Sequence, residues 1–195
     1  MNGDQKKNLA LIGFMGVGKT TVGKTCAQKL GFAYVDTDDL IAEREGMSIA
    51  SLFQARGEMA FRELESRVIE EISHKSRVVI ATGGGAILER RNVENLSKTC
   101  FIVHLTAPPE AILRRIGNPA SRPLLASEES PLDKIKSLSE TRKSHYREAA
   151  NVTISAVRAN ETVELLSSSG ADEDRTPEEI ADEIVALFRN SGKDL

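Results

Sequence analysis

The sequence predicts an α/β fold, a parallel sheet covered by helices on both faces. Three observations carry this expectation. Apolar, strand-like runs recur at residues 9–13, 33–36, 77–81, 100–105 and 152–155. The stretches between them have helical periodicity, and strands that alternate with helices are joined by crossovers, which makes them parallel and buries both sheet faces. The first run leads directly into Gly13-Phe14-Met15-Gly16-Val17-Gly18-Lys19-Thr20, which satisfies the phosphate-loop pattern G-x-x-x-x-G-K-[ST].

After the strand at 9–13, the loop must curl successive N–H groups around phosphate oxygens, which demands positions without a Cβ. The helix at 19–30 then points its positive dipole end at the anion. Lys19 would reach the outer phosphates and Thr20 would place its hydroxyl on magnesium, so a nucleoside triphosphate is the expected ligand. The second strand, 33–36, runs into Asp36-Thr37-Asp38-Asp39. Between the second and third strands, Ile49, Leu52 and Phe53, then Phe61, Leu64, Val68 and Ile72, indicate two helices broken near Gly57. This exceeds what one crossover requires; residues 37–76 form either a small substrate-binding flap or a longer covering layer.

Thr82-Gly83-Gly84-Gly85 follows the third strand, at the end where open parallel sheets bind ligands. Residues 117–131, with Asn118-Pro119, Arg122-Pro123 and Glu128-Glu129, show little regular pattern and read as a lid. After the fifth strand, residues 156–175 form an extended connection with a possible short element at 163–166 and a polar stretch at 167–174. The chain ends in a helix at 176–191, where Thr176 caps, Pro177 takes the first position, Glu179 completes a capping box, and Ile180, Ile184, Leu187 and Phe188 line one face.

Length sets the default of one domain, residues 1–195. A hydrophobic share of 40% with a net charge of -3 fits a soluble globular protein with no general attraction to nucleic acid or anionic membrane. No apolar run approaches the ~20 residues that span a bilayer. The polar start is neither signal nor transit peptide, so a cytoplasmic protein is the simplest reading, although an organellar protein lacking its presequence would read the same way. Cys26 and Cys100 fall on core-like segments and read as buried thiols; His74, His104 and His145 have no metal-ligand spacing.

Several residues are candidates for chemistry. In extended chain Asp36 and Asp38 would face one side, ~7 Å apart. Asp36 near Thr20 can share a magnesium ion, and Asp38 can align an acceptor hydroxyl or take its proton. The same acids also make a good helix start, and taken alone that reading is favoured. Arg62 and Glu65, three apart on a helix, can present a fixed guanidinium to a substrate carboxylate, or form an ordinary surface ion pair. The three glycines either expose N–H groups to a substrate or make a plain turn. Arg122 is either delivered by the lid to a transferring phosphoryl group or solvated. Arg142 and Tyr146 either add a second cationic contact or lie on a solvated helix face.

Taken together, GFMGVGKTT at 13–21, Asp36-Thr37-Asp38, Phe61-Arg62-Glu63-Leu64-Glu65, Gly83-Gly84-Gly85, Arg122-Pro123-Leu124-Leu125 and Arg142 through Tyr146 closely resemble the shikimate kinase family across residues 8–155. The resemblance implies a nucleoside-monophosphate-kinase-like fold, a five-stranded parallel sheet flanked by helices. It implies transfer of the ATP γ-phosphoryl group to the 3-hydroxyl of shikimate, in aromatic amino-acid biosynthesis, by a monomer. By the same carry-over ATP is held by Gly16, Val17, Gly18, Lys19, Thr20, Thr21, Arg115 and the lid residue Arg122, with Arg115 against the adenine. Thr20 and Asp36 hold Mg2+. Shikimate is held by Asp38, Arg62, Glu65, Gly83, Gly84 and Arg142, and Lys19, Asp38 and Arg122 are the catalytic set. The sequence departs from the family where Ser144-His145 replaces proline-leucine beside Arg142, which puts the course of that helix in question, and in its longer 156–175 connection. A kinase acting on gluconate or a nucleoside monophosphate is the competing enzyme reading, and a nucleotide-binding module without turnover is the competing non-enzyme reading. The combination of Asp38, Arg62 and Arg142 argues against the first; retention of Lys19, Asp38 and Arg62 argues against the second.

Overall fold

The computed structural model describes residues 6–117, 123–125, 130–158 and 173–191. Five strands, β1 (Asn8–Ile12), β2 (Ala33–Asp36), β3 (Val78–Ala81), β4 (Cys100–Thr106) and β5 (Val152–Ser155), form one parallel sheet in the order β2-β3-β1-β4-β5. The helices are α1 (Lys19–Leu30), α2 (Thr37–Glu45), α3 (Ile49–Ser73), α4 (Arg90–Thr99), α5 (Pro109–Ile116), α6 (Pro131–Ala149) and α7 (Pro177–Asn190). The connection after β1 leads to one edge of the sheet and that after β4 to the other, so a crevice opens at the C-terminal ends of the central strands.

Every side chain of β1 is buried, as expected of a central strand covered on both sides. Ala10 and Ile12 pack with Ile69 and Ile72 of α3, Leu96 of α4 and Tyr146 of α6. The alternate residues Leu9 and Leu11 pack with Val22 and Cys26 of α1 and Ile180 and Ile184 of α7. A third cluster, Phe14, Ile112, Leu125 and Ile135, joins α5 and α6 beneath the loop after β1. Cys26 and Cys100 are both free and buried. Among the described residues no helix is long and apolar enough to cross a membrane.

The strand limits shift for backbone reasons. β1 ends at Ile12 because Gly13, at φ 143°, leaves the strand, and β3 starts at Val78 because Arg77 sits at φ 63°, outside extended conformation. The break expected near Gly57 is present: α3 is interrupted there by a residue at φ 80° and ψ 171°, open to glycine at little cost. One expectation is corrected. β2 ends at Asp36 and α2 begins at Thr37, so strand alternation does not relate Asp36 to Asp38.

α7 carries the complete capping box between Thr176 and Glu179. The base of the late connection is paired, since Arg158 N–H donates to Glu173 O at 2.8 Å and Arg175 N–H to Ala156 O at 3.1 Å. Asp174 thus pairs with Val157 in an isolated antiparallel bridge, while Glu173 and Asp174 stay exposed to solvent. The rest of that connection, including 163–166, and residues 118–122 and 126–129 of the expected lid lie outside the described residues.

Candidate active site

The loop after β1 wraps around the start of α1. Gly16 and Gly18 hold φ 77° and 109°, and a Cβ on Gly16 would come within 2.6 Å of Ile116 Cγ1. A Cβ on Gly13 would strike the carbonyl oxygen of Leu105. No side chain caps α1 and no acid lies in its first turn, so the positive end of its dipole faces the loop uncompensated. The Lys19 ammonium is buried against the loop, donating to Gly13 O at 2.7 Å and Phe14 O at 2.9 Å. Backbone and one cation together make a cradle whose charge and shape suit an anion.

Beside it, Thr20 Oγ1 donates to Asp36 Oδ2 at 2.9 Å, and Tyr34 OH to the same oxygen at 3.3 Å. Asp36 Oδ1 accepts from Asp38 N–H at 3.1 Å, so Asp36 is the cap of α2. The helix-start reading of these acids holds, with Asp36 as the cap and Asp38 and Asp39 in the first turn of α2. Thr20 and Asp36 together present a hydroxyl and a carboxylate oxygen at one point, a donor set that suits magnesium, which takes one or two protein oxygens and completes its shell with phosphates and water.

A recess next to this cradle is lined by Met15, Asp38, Arg62, Glu65, Gly83 and Gly84, together with Phe53 and Phe61. Five residues from three separate segments of the sequence reading meet there. Arg62 is clamped by Glu65 Oε2 at 2.8 Å and by Glu58 Oε1 at 2.9 Å. Glu65 is fully buried, and burial lifts its carboxyl to about 7 against the pull of Arg62. Asp38 is likewise raised, by burial first and then by Asp36, with Lys19 and Arg62 pulling the other way. One carboxylate oxygen on each, Asp38 Oδ1 and Glu65 Oε1, is buried with no hydrogen-bond partner among the described residues. Two orphan acceptors in one hollow call for ligand hydroxyls or a shared proton.

The turn after β3 brings the recess to the phosphate cradle, because a Cβ on Gly84 would come within 3.1 Å of Met15 N. Gly83 N–H is taken by Thr37 Oγ1 at 2.9 Å and its carbonyl by Ala86 N–H at 3.2 Å, so Gly83 contributes open space rather than a backbone contact. Arg142 borders the recess without lining it: its guanidinium donates to Gly84 O at 3.2 Å and lies 5.7 Å from the Phe14 ring centroid. At 5% exposure it has no carboxylate partner among the described residues. Tyr146, one turn on, donates to the same carbonyl at 2.5 Å and stacks on His104 with 4.7 Å between centroids. α6 runs unbroken through Ser144-His145, and the solvated-face reading of Arg142 and Tyr146 does not hold.

Arg115 joins the other side of the cradle to the late connection. It donates to Val17 O at 3.2 Å and Ala156 O at 3.0 Å and pairs with Asp174 at 2.7 Å. With Val17, Thr21 and Pro177 it lines a second recess of about 360 Å³. Arg122 lies outside the described residues. Thr37 had no signal of its own in the sequence, since a threonine between two aspartates reads as part of a helix cap.

Comparison with known proteins points to one family. The shikimate kinase family model matches residues 15–189, reaching past the late connection into α7. A shikimate kinase of Caldanaerobacter subterraneus is 41% identical over 182 residues, 93% of this chain and 96% of the relative. One from Sulfurihydrogenibium is 40% identical over 183 residues, covering 94% and 98%. Among solved structures, shikimate kinase from Acinetobacter baumannii in complex with shikimate superposes with a TM-score of 0.80 at 34% identity, covering 96% of this chain and 95% of that one.

Proposed function

The chain belongs to the shikimate kinase family, and on that premise we propose that it phosphorylates the 3-hydroxyl of shikimate with ATP, giving shikimate 3-phosphate and ADP. The observation that carries the choice of acceptor is Arg142, a buried guanidinium without a carboxylate partner among the described residues, across Gly84 from the recess that holds Arg62. An unpaired buried cation costs several kcal/mol, and an anionic substrate group removes that cost. Arg62 and Arg142 grip the shikimate carboxylate, with Glu65 fixing Arg62. The sugar-like hydroxyls then fall toward the orphan oxygen of Asp38. Gly84 borders the acceptor and holds it against the phosphate loop.

On the nucleotide side, the amides of Gly16, Val17 and Gly18 with Lys19, Thr20 and Thr21 hold the phosphates, and the adenine lies against Arg115 in the recess that also contains Pro177. Thr20 and Asp36 would hold Mg2+, which when bound neutralises charge on the phosphate oxygens. The acceptor oxygen attacks the γ-phosphorus in line, the bond to the bridging oxygen of ADP breaks, and the hydroxyl proton passes to Asp38. A carboxylate raised by burial is a better proton acceptor than a solvated one. Lys19, and Arg122 from the lid, stabilise charge on the group in flight. Catalysis on this account is positioning and electrostatics, with no protein nucleophile. The enzyme works as a cytoplasmic monomer.

The test couples ADP formation to oxidation of a reporter cofactor with shikimate, gluconate or a nucleoside monophosphate as acceptor. Turnover with shikimate alone is expected. ATP consumption that ignores shikimate, or prefers another acceptor, contradicts the assignment.

A further inference from the structure

Thr37 stands between the two aspartates given roles above and has none itself. It is polar yet fully buried, and its hydroxyl accepts the Gly83 N–H at 2.9 Å. As the first residue of α2 it belongs to the helix that carries Asp38; Gly83 belongs to the turn that carries Gly84. A single hydrogen bond therefore ties the proposed proton acceptor to the backbone that borders the acceptor substrate. From the opposite side Tyr146 and Arg142 both donate to Gly84 O, so the two-residue turn is held by side chains of α2 and α6. The tolerance for movement is small. A Cβ on Gly83 would run into Glu65 Oε1 and lie 2.7 Å from Asp38 Oδ1, so a drift of this turn changes the space between the two orphan carboxylate oxygens.

We propose that Thr37 is a positioning residue for the acceptor: it does not touch shikimate, but its hydroxyl sets the separation of the Asp38 carboxylate from the Gly83-Gly84 turn. The inference rests on phosphorylation of shikimate in this recess. Valine matches threonine in shape but cannot accept the Gly83 N–H, whereas serine can. Thr37→Val is expected to lower kcat/KM for shikimate by about 10- to 100-fold, the scale of small misplacements of reacting groups. KM for ATP should stay within about twofold, because the loss concerns one substrate only. Thr37→Ser should recover most of the activity.

A merely structural threonine would give a different pattern, with both substrates weakened together, a lowered melting temperature, and no selective rescue by serine. That pattern, or Thr37→Val kinetics equal to wild type, overturns the proposal. Should Thr37→Val not fold, Tyr146→Phe loosens the same turn from Gly84 and carries the test, with the same split between shikimate and ATP expected and an even loss contradicting it. A wild-type enzyme that does not phosphorylate shikimate at all removes the functional reading and this inference with it. An active wild type with an unaffected valine variant removes this inference alone.

Discussion

Replacing Asp38 by Asn removes a charge and keeps the shape, and the structure sets opposite expectations for stability and for rate. Asp38 Oδ1 is buried without a hydrogen-bond partner among the described residues, and burial with the nearby Asp36 raises its carboxyl above the ordinary value of 3.8. The folded chain therefore disfavours the ionised form, by about 1.4 kcal/mol for each unit of the shift at neutral pH. Asparagine relieves that cost, so the melting temperature should hold or rise. The rate should fall, because loss of a positioned proton acceptor is worth about 10²- to 10⁴-fold, or about 2.7–5.4 kcal/mol of barrier. ATP affinity, measured by calorimetry, should be unchanged or slightly tighter, since one negative charge near Lys19 disappears. The ADP-coupled assay gives kcat, and scanning calorimetry the melting temperature. If Asp38 served only as a first-turn acid on α2, the pattern inverts: stability drops by about 0.3–1 kcal/mol while kcat survives. That outcome refutes the reasoning.

Arg62→Ala should weaken shikimate binding by about 30-fold or more, the loss for truncating one side of a buried charge pair, and calorimetry with ATP alone should show ordinary affinity; normal shikimate affinity contradicts its role. Glu65 gives a signature in pH. Its carboxyl is at about 7 in the fold against 4.5 ordinarily, so the folded chain binds this proton more tightly than the unfolded one. Its contribution to stability is complete below about 4.5 and is lost as pH rises through about 7, and Glu65→Gln should flatten this part of the melting-temperature profile; identical slopes in both proteins contradict it. Cys26 and Cys100 are buried thiols pushed up to about 12 and about 11 by burial, so the native enzyme should resist iodoacetamide at pH 8 and the unfolded chain should take up two labels by mass spectrometry.

What could be read in advance follows from how local each signal is. The phosphate loop and the continuous apolar strands are local patterns, and the break at Gly57 is a single-residue property; all three appear as read. The order β2-β3-β1-β4-β5 depends on contacts between distant runs that look alike in sequence, and only the parallel sense was legible. Arg142 was ambiguous because α6 is mostly polar and its inward stripe consists of Ile135, Arg142 and Tyr146, two of which read as surface. The helix start at Asp36-Thr37-Asp38-Asp39 is legible from its acids, but its first residue is not, so strand alternation carried on to Asp38 misplaces that side chain. Thr37 stayed invisible, since its meaning lies in a partner 46 residues away.

The most direct measurement is a crystal structure of this chain with ADP and shikimate bound. The account predicts the shikimate carboxylate held jointly by the guanidinium groups of Arg62 and Arg142, with its 3-hydroxyl on Asp38 and facing the nucleotide. A carboxylate bound elsewhere, with Arg142 still bonded to Gly84 O alone, would contradict it.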